Sequence, residues 1–310
     1  KLCELSFADK VFFCNSGAEA VEGAIKIARK YHSFNGNAQK NEIITFKNSF
    51  HGRTLATLAA ASNPLHTEGF SPIPNGFLNI PLNEDSLKKS ISDKTAGILI
   101  EPVQGEGGIN PVSNKFLSLI RKLCNDNNIL MILDQVQCGM GRTGKLFSHE
   151  WSDIEPDIIT LAKALGAGFP IGAILTSEDA SKGMQPGSHG STFGGNPVGC
   201  SIALKVLELI EKDDILSNVK DLSEILISEL DKLVKKHHNK ISDVRGKGLM
   251  IGVECIEKNY VVTDQAFKNG LLLVNAGNNV VRFLPPLNIS ETEIFEAIKK
   301  FDETLSNLDI

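Results

Sequence analysis

Two apolar runs end in groups of opposite charge: Leu130-Met131-Ile132-Leu133 leads into Asp134, and Ile158-Ile159-Thr160-Leu161-Ala162 leads into Lys163. Runs of this length, rich in branched residues, read as buried strands, and in open α/β sheets ligands bind outside the carboxyl ends of the strands. A carboxylate and an amine placed there together are what pyridoxal phosphate requires. The Asp would keep a pyridine nitrogen protonated, and the Lys would form an imine. Separately each has an ordinary reading, Asp134 as a turn cap and Lys163 as a solvated charge. The apolar, glycine-flanked setting of the lysine leads us to expect it buried.

A third constellation, Asn15-Ser16-Gly17-Ala18-Glu19, stands between the apolar Val11-Phe12-Phe13 and a helical pattern marked by Val21, Ala24, Ile25 and Ala28. The first N–H groups of such a helix, with the Ser16 hydroxyl, can hold a phosphate, and Gly17 lets the backbone approach it closely. Asn15 or Ser16 acting simply as an N-cap is the plainer reading of these residues alone. In Phe50-His51-Gly52-Arg53-Thr54, a ring to stack on a cofactor and an arginine to grip a carboxylate lie close together. Core-phenylalanine and surface-arginine readings stand equally open. The spacing Gly139-Met140-Gly141-Arg142-Thr143-Gly144 imitates a dinucleotide fingerprint. It does not come straight off a strand and opens no apolar-periodic helix, so it reads as a glycine-rich loop near the site. The seven histidines show no metal-binding spacing, and no metal is expected.

These groups need a scaffold. Val11–Phe13, Ile43–Phe46, Gly97–Ile100, Leu130–Leu133 and Asp157–Leu161 are short strand-like runs that alternate with helical patterns. Apolar on both faces, they predict a mainly parallel sheet flanked by helices, an α/β domain over residues 1–208. From about Pro197 the pattern turns to a long helical region whose apolar positions include Ile215, Val219, Leu222, Leu226, Leu230 and Leu233. A smaller α+β domain over residues 209–310 follows, with candidate strands Leu249–Val253 and Val280–Leu284.

The composition fits this plan. With 310 residues, 42% hydrophobic and 22% charged, the chain can bury a sizeable core. A net charge of -5 gives no basic footprint for nucleic acid. No apolar stretch reaches the length of a membrane span. Six cysteines without a C-x-x-C pair suit a reducing cytoplasm. The opening Lys1-Leu2-Cys3-Glu4 has neither an initiator Met nor a signal-peptide pattern, and suggests a start inside a longer protein.

In order along the chain, Ser16-Gly17-Ala18-Glu19-Ala20, Phe50-His51-Gly52-Arg53-Thr54, Glu101-Pro102-Val103-Gln104-Gly105-Glu106-Gly107-Gly108, Asp134-Gln135-Val136-Gln137, Ala162-Lys163 and Gly190-Ser191-Thr192-Phe193-Gly194-Gly195-Asn196-Pro197 together resemble the class III aminotransferases. These are fold type I pyridoxal-phosphate enzymes, and the chain is similar to their branch acting on N2-acetyl-L-ornithine. The resemblance implies that Ser16, Gly17 and Ala18 bind the cofactor phosphate and that Phe50 stacks on the pyridine. It implies that Asp134 pairs with the pyridine nitrogen, Gln137 meets the phenolic oxygen and Lys163 forms the Schiff base.

Thr192 would reach the phosphate of a neighbouring subunit's cofactor and Ser191 would lie near substrate, in a homodimer with shared active sites. Arg282 would grip an α-carboxylate, Arg53 would hold a second carboxylate or the distal part of the substrate, and Glu106 would gate Arg282. The implied reaction carries the terminal amino group of N2-acetyl-L-ornithine to 2-oxoglutarate in arginine biosynthesis. It gives N-acetyl-L-glutamate 5-semialdehyde and L-glutamate.

Activity on ornithine, succinylornithine or 4-aminobutyrate is the nearest alternative. An inactive truncated relative with an assembly role is another, and a nicotinamide dehydrogenase resting on the 139–144 spacing a third. The chain departs from the family's usual pattern at Gln135, where Glu is common, at Ala18, where Thr is frequent in this branch, and at Ala164, where Gly is usual.

Overall fold

The computed structural model describes residues 1–61 and 63–308. In chain order its strands are β1 (Lys10–Cys14), β2 (Glu42–Phe46), β3 (Phe77–Ile80), β4 (Thr95–Ile100), β5 (Val103–Gln104), β6 (Asn110–Pro111), β7 (Leu130–Asp134), β8 (Ile158–Leu161), β9 (Gly172–Thr176), β10 (Ile241–Lys247), β11 (Met250–Cys255), β12 (Val274–Ala276) and β13 (Val280–Phe283). Its helices are α1 (Gly17–Phe34), α2 (Leu55–Ala61), α3 (Pro64–Thr67), α4 (Glu84–Ser90), α5 (Asn114–Asn127), α6 (Glu178–Ser181), α7 (Pro197–Lys212), α8 (Ile215–Lys236), α9 (Asn259–Lys268) and α10 (Glu291–Ser306).

Two compact units divide the chain: residues 1–102, 112–140 and 149–209 form the first, and residues 103–111, 141–148 and 210–310 the second. The two short excursions differ from a linear reading of the chain, and hydrogen bonds account for them. Arg245 Nε donates to Gly108 O at 3.0 Å, and Arg142 Nη1 donates to Leu249 O at 2.9 Å.

In the first unit seven of the described strands form a sheet in the order β1-β9-β8-β7-β4-β2-β3. Neighbours are parallel except at β9, which runs antiparallel to both β8 and β1. The carboxyl ends of β1, β2, β4, β7 and β8 therefore share one edge. β4, β7 and β8 are buried along their whole length, as apolar runs covered on both faces must be.

Helix α1 forms because Ser16 caps it, its Oγ accepting from Glu19 N at 3.2 Å, and because its apolar residues fall on one stripe. That stripe, including Val21, Ala24, Ile25 and Ala28, packs on the sheet. Full burial of Ile25 alone contributes about 1.5–3 kcal/mol. Helix α5 starts at the Ser113 cap and stops at Asn128, whose φ of 53° continues no helix.

In the second unit β10, β11, β13 and β12 pair antiparallel in that order. Val219, Leu226 and Leu230 of α8 and Ile294, Phe301 and Leu305 of α10 share one buried cluster with Ile251, Val253 and Phe283. The Phe283 and Phe301 rings meet edge to face, 5.0 Å between centroids. The helical region expected from Pro197 is broken at Asp214, which has a left-handed φ of 50°. β3, β5, β6, β9, β10 and β12 were not expected from the sequence.

Candidate active site

The carboxyl edge of the first unit's sheet collects most of the expected groups. Asp134 ends β7 with 4% exposure, and its carboxylate is fully engaged on the protein side. His51 Nδ1 donates to Oδ2 at 2.8 Å; Val136 N and Thr160 Oγ1 donate to Oδ1 at 3.1 and 3.3 Å. Both partners of the His51–Asp134 pair are buried, so their attraction acts in a low dielectric. The other ring nitrogen, His51 Nε2, is buried and has no hydrogen-bond partner, which is rare for a polar atom inside a protein.

The amino end of α1 abuts the turn after β7. A Cβ on Gly17 would stand 2.7 Å from Val136 Cγ1, so only glycine lets the helix start this close to the turn that follows Asp134. Gly52, at a φ of 134°, lies against Ala18 in the same way, where a Cβ would come within 2.9 Å of the Ala18 Cβ. The N–H groups of Gly17 and Ala18 belong to the first turn, which has no intrahelical acceptors, and the helix dipole makes that end attractive to an anion. Asn15 Nδ2 donates to Ser191 Oγ at 3.1 Å, bringing the 190–197 loop to this helix end. A cavity of about 480 Å³ opens there, with Asn15, Glu19, Ser191 and Thr192 among its walls.

Lys163 follows β8 at the same edge, in a left-handed conformation with φ 44°. A non-glycine residue in that region is strained and is held there by its surroundings. The residue is exposed where burial was expected, and the 3-10 turn Lys163–Gly166 leaves the sheet at this point. Phe50 is half-buried, its N–H donating to Glu101 Oε1 at 2.8 Å, and the exposed Arg53 lies over its ring at 5.3 Å. Gln137 is half-buried in the turn after β7, and Thr192 is exposed.

Gln135 is 1% exposed, and its Nε2 donates to His149 Nδ1 at 2.8 Å. Burial pushes His149 down to about 4, so the ring is neutral near pH 7 and accepts this hydrogen bond. A neutral amide against a neutral imidazole satisfies both groups without a buried charge. The missing carboxylate at this position is thus matched by its neighbour.

Two expected residues belong to the second unit. Arg282, on β13 and 4% exposed, donates from Nη1 to Glu106 Oε1 at 2.7 Å and from Nη2 to Asn275 O at 3.1 Å. The 139–144 glycines form turns: Gly139 N bonds back to Gln135 O, and Gly141 and Gly144 take positive φ. No regular helix follows them, which agrees with a glycine-rich loop.

Sequence reasoning missed Thr160 as a partner of Asp134, His149 as the partner of Gln135, and Asn15 as the link to Ser191. Thr160 carried a signal, since β7 and β8 are neighbours and both end at the same level. His149 and Ser191 are distant in sequence and carried none.

These groups fit pyridoxal 5'-phosphate. A buried carboxylate, a helix end for phosphate, an aromatic ring and an amine share one sheet edge, and His51 Nε2 is left unpartnered beside Asp134. The family model for class III aminotransferases matches residues 1–305. An acetylornithine aminotransferase of Brucella melitensis is 46% identical over 311 residues, covering 100% of this chain and 77% of the relative. One from Methanocaldococcus jannaschii is 49% identical, covering 99% of this chain and 77% of its own length. Among solved structures, the ornithine aminotransferase of Toxoplasma gondii superposes with a TM-score of 0.94 at 31% identity, over 98% of this chain and 74% of that one. The N-acetylornithine aminotransferase of Stenotrophomonas maltophilia K279a has a TM-score of 0.84 at 37% identity, over 98% and 77%. The chain belongs to the class III aminotransferases, and its cofactor is pyridoxal 5'-phosphate.

Proposed function

We propose that this enzyme moves the terminal amino group of N2-acetyl-L-ornithine to 2-oxoglutarate, giving N-acetyl-L-glutamate 5-semialdehyde and L-glutamate, a step of arginine biosynthesis. The observation that carries this reading is the 44–49% identity, over 97–100% of the chain, to relatives named acetylornithine aminotransferase. Residues 1–102, 112–140 and 149–209 serve as the cofactor-binding domain, and 103–111, 141–148 and 210–310 as the smaller domain.

Pyridoxal phosphate, when bound, supplies an aldehyde that takes up the amino group and a ring that draws electrons from the substrate carbon. The chain supplies the rest. Gly17 and Ala18 N–H groups and the Ser16 hydroxyl would hold the phosphate, Phe50 would stack on the ring, and Gln137 would meet its phenolic oxygen. Asp134, oriented by hydrogen bonds from His51, Val136 and Thr160, would pair with the pyridine nitrogen. Lys163 would anchor the cofactor through its side-chain amine and would move a proton at the substrate carbon. Arg53 and Ser191 orient the donor. Glu106 neutralises Arg282 while the amino donor reacts and leaves it for the α-carboxylate of 2-oxoglutarate.

The active form is a homodimer with shared sites, in which Thr192 of one copy reaches the phosphate held by the other. The exposure of Thr192 and of Phe193 beside it, at 71%, supports this reading. All six cysteines are free thiols, which supports a cytoplasmic location.

Amino donors offered singly to the enzyme, with glutamate formation followed, test the proposal. N2-acetylornithine should exceed ornithine, succinylornithine and 4-aminobutyrate in kcat/KM by about tenfold or more, a preference that needs only ~1.4 kcal/mol of differential binding. A higher value for another of these donors would replace the substrate. Turnover of none would favour an inactive relative with an assembly role.

A further inference from the structure

We infer that Asn278 and Arg245 are positioning residues for Glu106, holding its backbone as a fixed mount so that its carboxylate meets or leaves Arg282 by side-chain rotation alone. The inference rests on the gating role proposed for Glu106.

The mount is visible in the hydrogen bonds of the loop between β5 and β6. Gly277 N donates to Glu106 O at 2.7 Å, Asn278 Nδ2 to Gly107 O at 3.0 Å, and Asn110 Nδ2 to the same oxygen at 2.9 Å. Arg245 Nε donates to Gly108 O at 3.0 Å. Three successive carbonyls, 106 to 108, are thus tied down by side chains or backbone that come from far along the chain. Arg245 is itself braced, its Nη1 lying 2.7 Å from both Asp243 and Glu254.

The next residue, Ile109, has a left-handed φ of 50°, a strained state for a β-branched side chain, and is 0% exposed. Its side chain fills the space over Gly252, where a Cβ would lie 2.8 Å from the Ile109 Cβ. Gly108, at φ 110°, sits where a Cβ would come within 2.8 Å of Gly277 O. These contacts restrain the loop at three successive carbonyls. The Glu106 side chain, by contrast, is 40% exposed, against 4% for Arg282, so solvent can take it up when it leaves the pair.

The functional demand explains the rigidity. A donor whose reacting carbon bears no carboxylate needs Arg282 neutralised, while a 2-oxo acid needs it bare. A slack mount would weaken the closed pair and leave Arg282 open to α-amino acids such as glutamate during the first half-reaction.

The test measures half-reactions of the holoenzyme with N2-acetylornithine and with glutamate in Asn278→Gly, Glu106→Gln and the double variant. Glycine keeps the left-handed φ of 53° at this position and removes only the amide donor. Loss of one such hydrogen bond should raise the ratio of kcat/KM for glutamate to that for N2-acetylornithine about threefold to tenfold. Glu106→Gln should raise it at least as much, the double variant should add nothing further, and Arg245→Lys should shift it the same way.

A purely structural role would lower both half-reactions alike and leave the ratio in place. An unchanged ratio in Asn278→Gly and Arg245→Lys, with Glu106→Gln shifted, would overturn the inference, as would additive effects in the double variant. An unchanged ratio in Glu106→Gln would instead remove the gating role itself. Should Asn278→Gly fail to fold, Asn278→Asp keeps a residue tolerant of the left-handed region and answers the same question.

Discussion

His51 Nδ1 stands 2.8 Å from Asp134 Oδ2, both side chains buried, so the carboxylate that would face the pyridine nitrogen is oriented from behind by an imidazole. Replacing His51 by Leu removes one donor from a buried carboxylate whose other oxygen already has two. The cost of a missing partner for a buried charged group is about 1–3 kcal/mol or more. We expect kcat to fall about tenfold to a hundredfold in His51→Leu. His51→Asn, which can donate from a similar position, should recover part of the loss. Steady-state rates of the two variants check this.

Gly17→Ala should weaken cofactor retention. The new methyl would meet Val136 Cγ1 at 2.7 Å and push the start of α1 away from the turn after Asp134. Overpacking of this kind costs about 1–3 kcal/mol. Adding Val136→Ala opens the space, so the double variant should hold the cofactor better than Gly17→Ala alone. Dialysis followed by absorbance reads the difference.

His149 gives a pH dependence with a defined sign. Its folded value, about 4, lies below the ordinary 6.5, so between these limits the unfolded chain takes up a proton that the folded chain refuses. Stability therefore falls as pH drops from about 6.5 towards 4, by on the order of 3 kcal/mol in full. His149→Asn should lose less stability over that range. Urea midpoints at pH 7 and pH 5 for both proteins test it, and equal losses would contradict it.

Gln135→Glu should destabilise the protein at pH 8, where the new carboxylate would sit 1% exposed against a neutral ring. Such a buried, unneutralised charge costs several kcal/mol. The penalty should shrink near pH 5–6, because the carboxylate raises the His149 value and the protonated ring can pair with it. A melting-temperature deficit that grows on acidification would contradict this.

The expected site residues reach the structure unevenly, for a physical reason. Asp134 and Lys163 were legible because each ends an apolar run, and a parallel sheet places such ends on one edge. Gly17 was legible as a helix start, although Val136, the neighbour that demands glycine, was not. β9 and β10 escaped notice because one is a lone antiparallel strand inserted between β8 and β1, and the other, Ile241–Lys247, is polar and half-exposed along most of its length. Excursions such as 103–111 depend on long-range bonds like Arg245 to Gly108, which no local pattern announces. The exposure of Lys163 likewise goes with the 3-10 turn after β8 and not with its apolar neighbours.

Whether Lys163 carries the cofactor can be read from a covalent trap. The protein is loaded with pyridoxal phosphate, freed of excess, reduced with borohydride and mapped by peptide mass. A single pyridoxyl adduct on Lys163, absent from Lys163→Ala, is expected. An adduct spread over other lysines, or normal turnover in Lys163→Ala, would contradict it.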